Sequence, residues 1–256
     1  MTGSDATFWD HLDILRGVLI KIVAVMIVLG VAAFFAMPWI FENIIMAPCS
    51  PDFPTARLFD SIAAFMGDNI GGDVSIDIVS IELASQLFMH FSSSCWVALI
   101  VGFPIIIYLL WGFVSPALYP HEKQGIRTAF FFGNVMFYLG VATGYFLVFP
   151  LTVKFLAGYQ LSSAIRPMVT LTSYMDNFYT LLLMMGVVFE LPLLAWLLGK
   201  MGLLTRDFFK TYRRHAIVVL LIVAAVITPT GDPFSLFLVF IPIYALWEGS
   251  ARLVPA

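Results

Sequence analysis

Six apolar segments, each bounded by charged residues or prolines, constrain this chain more than any other feature of its sequence. They cover about residues 17–41, 90–114, 128–151, 174–198, 214–228 and 234–248. About 20 predominantly apolar residues suffice to carry an α-helix across the hydrocarbon core of a bilayer. The sequence therefore predicts an all-α, polytopic membrane protein, with residues 1–256 forming one domain of six transmembrane helices.

The last two predicted helices are short. At 1.5 Å per residue, the segments 214–228 and 234–248 each span roughly 22 Å, against a hydrocarbon core of about 30 Å. The run Pro229-Thr-Gly-Asp-Pro233 between them cannot continue a helix and indicates a tight hairpin. We expect such short helices to be accommodated by local thinning of the bilayer or by packing against partner helices.

The composition excludes a water-soluble domain. Of the 256 residues, 61% are hydrophobic and 11% are charged, and the mean hydropathy is +0.97. Soluble globular domains carry about 25% charged residues, so lipid must cover much of the apolar surface of this chain. The net charge of -3 comes without a basic stripe, which argues against nucleic-acid binding.

The distribution of lysine and arginine predicts the orientation, because cytoplasmic segments of membrane proteins carry an excess of these residues. If both termini are cytoplasmic, the outer side carries only Arg57, Lys154 and Arg166. The cytoplasmic side then carries Arg16, Lys21, Lys123, Arg127, Lys200, Arg206, Lys210, Arg213, Arg214 and Arg252. This orientation places the long acidic segment 42–89 outside, as a periplasmic loop.

Glu190, in the run Phe189-Glu-Leu-Pro192, is the most informative polar residue. It lies well inside the fourth apolar segment, where a carboxylate costs several kcal/mol unless it is paired, protonated or wetted. Pro192 cannot donate to the carbonyl of Val188, so the helix should be loosened beside the acid. We interpret Glu190 and Pro192 as an intramembrane polar or partner-binding site. The alternative is a protonated glutamate bonded to a neighbouring helix.

The loop Ser115-Pro-Ala-Leu-Tyr-Pro-His-Glu-Lys123 contains a second candidate. Two prolines stiffen it, and Glu122 stands at a membrane surface where Lys and Arg otherwise dominate. An isolated carboxylate there can receive a guanidinium through two parallel hydrogen bonds. The alternative is a surface ion pair with Lys123 or Arg127, which contributes little.

The segment Phe8-Trp-Asp-His-Leu-Asp-Ile-Leu-Arg16 is amphipathic. Its aromatic and leucine side chains cluster on one helical face, while Asp10 and Asp13, three residues apart, share another. This pattern predicts an interfacial helix that leads into the first span. Asp10 and Asp13 would then form a second acidic site beside Glu122. The alternative is an ordinary aromatic anchor with solvated acids.

Residue patterns typical of enzymes are missing from the sequence. The four histidines form no His-Glu-x-x-His pair, and there is neither a Gly-x-Ser-x-Gly elbow nor a phosphate-binding glycine-rich loop. Cys49 and Cys95 have no metal-ligand spacing, and we prefer free thiols to a disulfide. We therefore expect no catalytic site, cofactor or metal. The alternatives to a receptor are a proton-coupled small-molecule transporter with Glu190 as relay, or a pure assembly protein.

Several of these motifs occur in the order that characterises a known family. The most specific are the loop Pro116-Ala-Leu-Tyr-x-His-Glu122 and the intramembrane Phe189-Glu-x-Pro192. The segment His11-Leu-x-x-Leu-Arg16 precedes the first span, and Thr228-Pro with Asp232 forms the hairpin. Over essentially its whole length, the chain resembles the TatC family, the core subunits of the twin-arginine protein translocase.

The resemblance implies a concave six-helix scaffold in the cytoplasmic (inner) membrane that recognises twin-arginine signal peptides on folded proteins. The implied partners are these peptides, TatA- or TatB-type single-span subunits, further copies of the chain and membrane lipid, with the proton motive force as energy source. The family's loop glutamate maps onto Glu122, its buried glutamate onto Glu190 and its outer aspartate onto Asp232. The signal-peptide site implied by the resemblance comprises His11, Leu15, Arg16 and Glu122, and our own inference from the N-terminal sequence adds Asp10 and Asp13.

One departure from the family pattern concerns the N-terminal half of this site. The family commonly has His-Leu-x-Glu-Leu-Arg, and Ile14 stands where that glutamate falls. Asp13 lies one residue earlier, about 100° around the helix. We expect Asp13, with Asp10 one turn before Ile14, to make the second acidic contact.

Overall fold

The structure is a computed structural model, which describes residues 8–50, 53–55, 78–114, 123–159, 168–200 and 202–254. Its α-helices are α1 Phe8–Ile40, α2 Ser85–Val114, α3 Lys123–Thr143, α4 Phe149–Gly158, α5 Leu171–Val188, α6 Leu191–Lys200, α7 Arg206–Thr211, α8 Arg213–Ile227 and α9 Pro233–Leu253. Two π-helical segments, Phe41–Ile45 and Gly144–Val148, continue α1 and α3, and a 3₁₀ helix spans Ala47–Cys49. Two short strands, β1 Ile78–Val79 and β2 Val169–Thr170, pair in parallel.

Five helical stretches are long and apolar enough to cross a membrane. They are Leu12–Cys49, Ser85–Phe113, Phe130–Gly158, Leu171–Lys200 and Pro233–Leu253. These stretches match five of the six predicted spans, so the predicted all-α membrane fold is confirmed. The remaining predicted span corresponds to α8, whose 15 residues fall short of the length that crosses a bilayer fully.

The last helix is longer than predicted. It has 21 residues, which extend about 31 Å, and it continues past Glu248, where the prediction ended it. The prediction stopped where charge returns, but these polar side chains are accommodated within the helix. The Glu248 carboxylate is bound by Tyr244 and Arg213, and the Ser250 hydroxyl donates to the carbonyl of Leu246. Of the two helices predicted to be short, α8 is short and α9 is not.

The chain divides into two compact units. The first comprises residues 1–38 and 90–134, and the second comprises residues 39–89 and 135–256. Much of the first long stretch, Leu12–Cys49, is not covered by the rest of the protein. In its most apolar 18 residues, 6% are buried, whereas the corresponding share in the fourth long stretch is 44%. Apolar surface of this kind is covered by lipid or by partner helices. That residues 1–256 act as one domain stays a prediction.

In the first unit, α1 packs closely against α2. A methyl group at Gly102 would lie 2.9 Å from Cδ1 of Leu29, so the two helices approach each other tightly at this point. His90 Nε2 lies 2.9 Å from the Phe34 carbonyl oxygen and donates to it, and the two rings are 4.1 Å apart. Pro38 has no N–H to donate to the Phe34 carbonyl. His90 therefore supplies a hydrogen bond that this carbonyl could not obtain from lipid.

In the second unit, α3 and α5 approach until their backbones touch. Gly140 and Gly144 form a Gly-x-x-x-Gly pattern, which lets neighbouring helices pack closely in membranes. A methyl group at Gly140 would lie 2.4 Å from the carbonyl oxygen of Met185, and one at Gly186 would lie 2.7 Å from the Phe137 ring. This contact fixes α5 just before the chain reaches Glu190.

Tyrosine hydroxyls hold the π-helical segment that ends the first long stretch. Tyr174 donates to the carbonyl of Ile45 at 2.6 Å, and Tyr145 donates to the carbonyl of Ile44 at 2.9 Å. Both carbonyls lie where the regular α-helical ladder is interrupted, so they need outside donors. Tyr174 is almost fully buried, so the packing holds its hydroxyl in place.

A proline interrupts the third long stretch in a related way. Pro150 stands at the start of α4 and has no N–H to offer the carbonyl of Phe146. The buried hydroxyl of Thr55, far away in sequence, donates to that carbonyl. The irregular backbone at this depth is therefore satisfied within the protein, as a membrane environment requires.

Candidate functional site

The acidic N-terminal segment is helical and continuous with the first span. Helix α1 has 33 residues, or about 50 Å, which exceeds a hydrocarbon core of about 30 Å. The helix is therefore long enough for its first turns to extend beyond the core. Asp13, Ile14 and Arg16 are exposed there, and Leu15 is half-buried. These side chains are accessible to a partner at the membrane surface.

Three of the predicted site residues are described incompletely or not at all. Asp10 and His11 belong to α1 by their backbone, which puts Asp10 one turn before Asp13 and Ile14, but their side chains lie outside the described part. Glu122 lies outside the described residues, and α3 begins directly after it. That Glu122 and Asp13 meet in one acidic site therefore stays a prediction.

The helix breaks at Glu190, as the sequence predicts. Helix α5 ends at Val188 and α6 begins at Leu191, with Phe189 and Glu190 in a turn between them. The N–H of Glu190 bonds back to the carbonyl of Val187 at 3.1 Å, a three-residue spacing tighter than that of an α-helix. Buried Pro192 has no N–H for the next carbonyl. The break is thus a local consequence of the proline.

Glu190 itself is half-buried and incompletely satisfied. Its Oε1 is buried and has no hydrogen-bond partner within the described ranges. Leaving a buried acceptor unbound costs about 1–3 kcal/mol, and more when the group is charged. Glu190 is therefore suited to bind a donor group that enters the membrane with a partner.

Asp232 has a capping role in the hairpin between α8 and α9. Its Oδ1 accepts from the backbone N–H of Ser235 at 2.8 Å, and its Oδ2 accepts from the Thr230 hydroxyl at 2.6 Å. Gly231 adopts a positive φ of 61° in the turn. Burial alone would raise the pKa of Asp232, but these hydrogen bonds outweigh it and hold the pKa below its usual value. The hydrogen bonds therefore favour the ionised carboxylate of Asp232, which stabilises the hairpin.

A polar cluster that sequence reasoning missed joins α8 to α9. Arg213 Nε lies 2.6 Å from Oε1 of Glu248 and 3.0 Å from the Tyr244 hydroxyl, and that hydroxyl donates to the same carboxylate at 2.9 Å. Arg206 also binds the carbonyl oxygens near the end of α9. The available signal was an arginine at the start of one helix and a glutamate late in the next, which an antiparallel hairpin places side by side.

Cys49 and Cys95 are free thiols, the state preferred from the sequence. Among the described residues, no group of three or more His, Cys, Asp or Glu side chains is placed to hold a metal ion.

One protein-family model matches most of this chain. The model for TatC, described as Sec-independent protein translocase protein, matches residues 10–242. The chain belongs to the TatC family. The TatC protein of Blattabacterium sp. subsp. Periplaneta americana is 32% identical over 252 residues, which cover 96% of this chain and 94% of that protein. The TatC protein of Aquifex aeolicus is 29% identical over 241 residues, which cover 93% and 90%.

A solved structure of the TatC family has the same fold. The crystal structure of the twin arginine translocase receptor TatC in DDM has a TM-score of 0.76 and 27% sequence identity, and it covers 96% of this chain and 100% of that one. As a TatC-family protein, the chain is a multi-pass membrane component of the twin-arginine translocase, with a role in protein transport. Such a component works in a complex with partner subunits.

Proposed function

We propose that this chain is the receptor and scaffold of a twin-arginine translocase in the cytoplasmic membrane. It binds the twin-arginine signal peptides of folded proteins and assembles with TatA- or TatB-type single-span subunits, and the proton motive force drives export. Both termini are cytoplasmic, so the first turns of α1 and Glu122 face the same compartment as the cargo. Family membership supports the translocase role, and the described residues support the placement of the binding groups.

The observation that carries the receptor proposal is the exposed carboxylate of Asp13 in the first turns of α1. A guanidinium binds such a carboxylate through charge-assisted hydrogen bonds worth about 1.5–3 kcal/mol. In the proposed site, Asp13 with Asp10 receives one signal-peptide arginine and Glu122 receives the other. His11, Leu15 and Arg16 flank this acidic surface on the same helix.

The receptor proposal is tested by peptide binding to the purified protein. A peptide with Arg-Arg is compared with the same peptide carrying Lys-Lys, because lysine keeps the charge but cannot form the bidentate pair. Wild type should prefer Arg-Arg, and Asp13→Asn should lose part of that preference. Asp207→Asn is the matched control, since Asp207 is also exposed and is assigned to the same side of the membrane. Equal binding of both peptides by wild type would refute the receptor role.

Within the same proposal, Glu190 is the intramembrane site for a partner. Its half-buried carboxyl, the break in the helix and the unbound Oε1 together leave a polar position that an inserted helix or peptide can satisfy. The apolar part of a signal peptide, or a single-span subunit, would reach this position through the membrane. Its donor group would then bind the Glu190 carboxyl.

The role of Glu190 is tested by co-purification with a tagged TatA- or TatB-type subunit. Glu190→Ala should reduce recovery of the partner. Glu190→Gln distinguishes binding that needs only a hydrogen bond from binding that needs an ionisable carboxyl. Retained recovery in Glu190→Gln indicates that hydrogen bonding suffices, and loss indicates that the ionisable carboxyl is needed. Glu42→Gln is the control, because Glu42 is exposed in the π-helical segment of the first long stretch. If partner recovery and export stay intact in both Glu190 variants, this role is wrong.

A further inference from the structure

A cavity in the second unit lies at the end that carries Asp232 and takes part in none of the contacts proposed above. It has a volume of about 390 Å³, within the range of roughly 300–1,000 Å³ typical of ligand pockets. Its described wall comes from α4, from β2 with the first two turns of α5, and from Thr230 in the hairpin. It is therefore a separate site from Glu190.

Two buried polar atoms in this wall lack a hydrogen-bond partner among the described residues. They are Oγ1 of Thr152, a residue that is 1% exposed, and Oδ1 of Asn177. The Asn177 amide nitrogen donates to the carbonyl of Ser173 at 2.8 Å, which leaves the amide oxygen to accept. Buried polar atoms in proteins are nearly always paired, so two unpaired atoms in one cavity wall are suited to bind a ligand with polar groups.

The described part of the wall favours an uncharged ligand. None of the described lining residues is charged, and the other polar side chains include the hydroxyls of Thr170, Ser173 and Thr230. A phosphate or an ammonium would lose its hydration here without gaining a counter-charge, which is unfavourable. The ligand must donate to the Asn177 oxygen, and it can donate to the Thr152 hydroxyl or accept from it. A hydroxyl group does both, so neighbouring hydroxyls of a polyol fit this wall.

The position of the cavity indicates where such a polyol comes from. Three of the long apolar stretches have an end at this level: the third ends at Gly158, the fourth begins at Leu171 and the fifth begins at Pro233. Lipid headgroups lie at the ends of transmembrane helices, outside the hydrocarbon core. Apolar lining residues, including Leu156 and Met168, can accommodate the adjoining glycerol and acyl carbons.

We propose that this cavity binds the uncharged, polyhydroxylated headgroup of a membrane lipid, such as a glycosyl headgroup. The headgroup hydroxyls bind the Thr152 hydroxyl and the Asn177 amide oxygen, and the acyl chains leave along the apolar wall. None of the residues in the proposed signal-peptide site lines this cavity, so lipid binding here would be independent of signal-peptide recognition.

Native mass spectrometry of the full chain tests this proposal. The protein is reconstituted in phosphatidylcholine nanodiscs containing a small fraction of monoglucosyl diacylglycerol, and retained glucolipid is counted after release. Wild type should retain one glucolipid, and Thr152→Val and Asn177→Leu should each retain it about fivefold less, the ratio expected for one neutral hydrogen bond. Thr143→Val is the matched control, because its hydroxyl donates within its own helix to Leu139 at 2.8 Å, away from the cavity.

The controls distinguish a lipid site from a soluble-sugar site and from a loss of folding. Retention that is the same in wild type and in both cavity variants would overturn the proposal, and so would equal retention of phosphatidylethanolamine in place of the glucolipid. Free glucose should not displace the glucolipid, and displacement would mean that the site takes a soluble sugar instead. An unchanged melting midpoint in Asn177→Leu shows that its lost retention is not caused by unfolding.

Discussion

The contact between α3 and α5 gives the sharpest prediction about the packing that positions Glu190. The substitution Gly140→Ala places a methyl group 2.4 Å from the carbonyl oxygen of Met185 and 2.8 Å from both Cα of Gly186 and Cβ of Phe189. Contacts this short are repulsive, and backbone atoms cannot rotate away as the end of a flexible side chain can. Helix α5 must therefore shift, and Phe189 and Glu190 must shift with it.

The expected loss of stability follows from two opposing effects. Overpacking a close contact costs about 1–3 kcal/mol, and a backbone clash belongs at the upper end of that range. Replacing glycine by alanine within a helix stabilises the folded protein by about 1 kcal/mol, because alanine has the higher helix propensity. The net loss is therefore about 2 kcal/mol. Since a protein of this size loses roughly 2–4 °C per kcal/mol, the melting midpoint should fall by about 4–8 °C.

Thermal unfolding in detergent, followed by intrinsic fluorescence, measures this shift. Gly249→Ala is the control, because Gly249 also lies in a helix and a methyl group there would meet nothing within 4 Å. It should melt at or slightly above the wild-type midpoint, since only the gain in helix propensity applies. If Gly140→Ala melts together with Gly249→Ala, the close approach of α3 and α5 is refuted.

Three further predictions concern the hairpin, the cluster between α8 and α9, and the orientation. Asp232→Ala should cost about 1 kcal/mol by removing the cap of α9, whereas Asp232→Asn should keep the cap. Because the pKa of Asp232 is held below its ordinary value of about 3.9, its charge stabilises the fold above that pH. The wild-type midpoint should therefore decline more steeply than that of Asp232→Asn as the pH falls below about 3.9. Arg213→Gln and Glu248→Gln should lower the midpoint by less than Gly140→Ala, and high salt should shrink the effect because the pair is partly exposed. The orientation is tested by single-cysteine variants of a chain that also carries Cys49→Ser and Cys95→Ser. An impermeant maleimide should label Glu82→Cys in intact cells but Asp207→Cys only after lysis. The opposite labelling pattern would show that the predicted orientation in the membrane is inverted.

The spans were predictable because apolar length alone suffices to identify a membrane helix. Their ends were less predictable, since a helix does not stop where charge begins. Helix α1 begins at Phe8 because the amphipathic residues before the first apolar segment are helical too, and α9 continues past Glu248 because that carboxylate is paired. The break beside Glu190 was predictable from Pro192, since a missing N–H acts on the helix that contains it.

What the sequence did not reveal depends on contacts between distant segments. Nothing local in the sequence connects His90 with the Phe34 carbonyl, or Thr55 with that of Phe146. The cavity lined by Thr152 and Asn177 was missed for the same reason. Thr152 and Asn177 are ordinary polar residues until α4 and α5 bring them into one wall.

The central claim, that a signal-peptide arginine binds Glu122, is tested most directly by a double-mutant cycle. Binding is measured for wild type and Glu122→Gln, each with an Arg-Arg peptide and with a Gln-Gln peptide. A direct charge-assisted pair predicts a coupling free energy of about 1.5–3 kcal/mol, so that Glu122→Gln weakens the Arg-Arg peptide at least tenfold more than the Gln-Gln peptide. Effects that add within about 0.5 kcal/mol would show that Glu122 and the arginines do not interact, and the receptor site would have to be sought elsewhere on the chain.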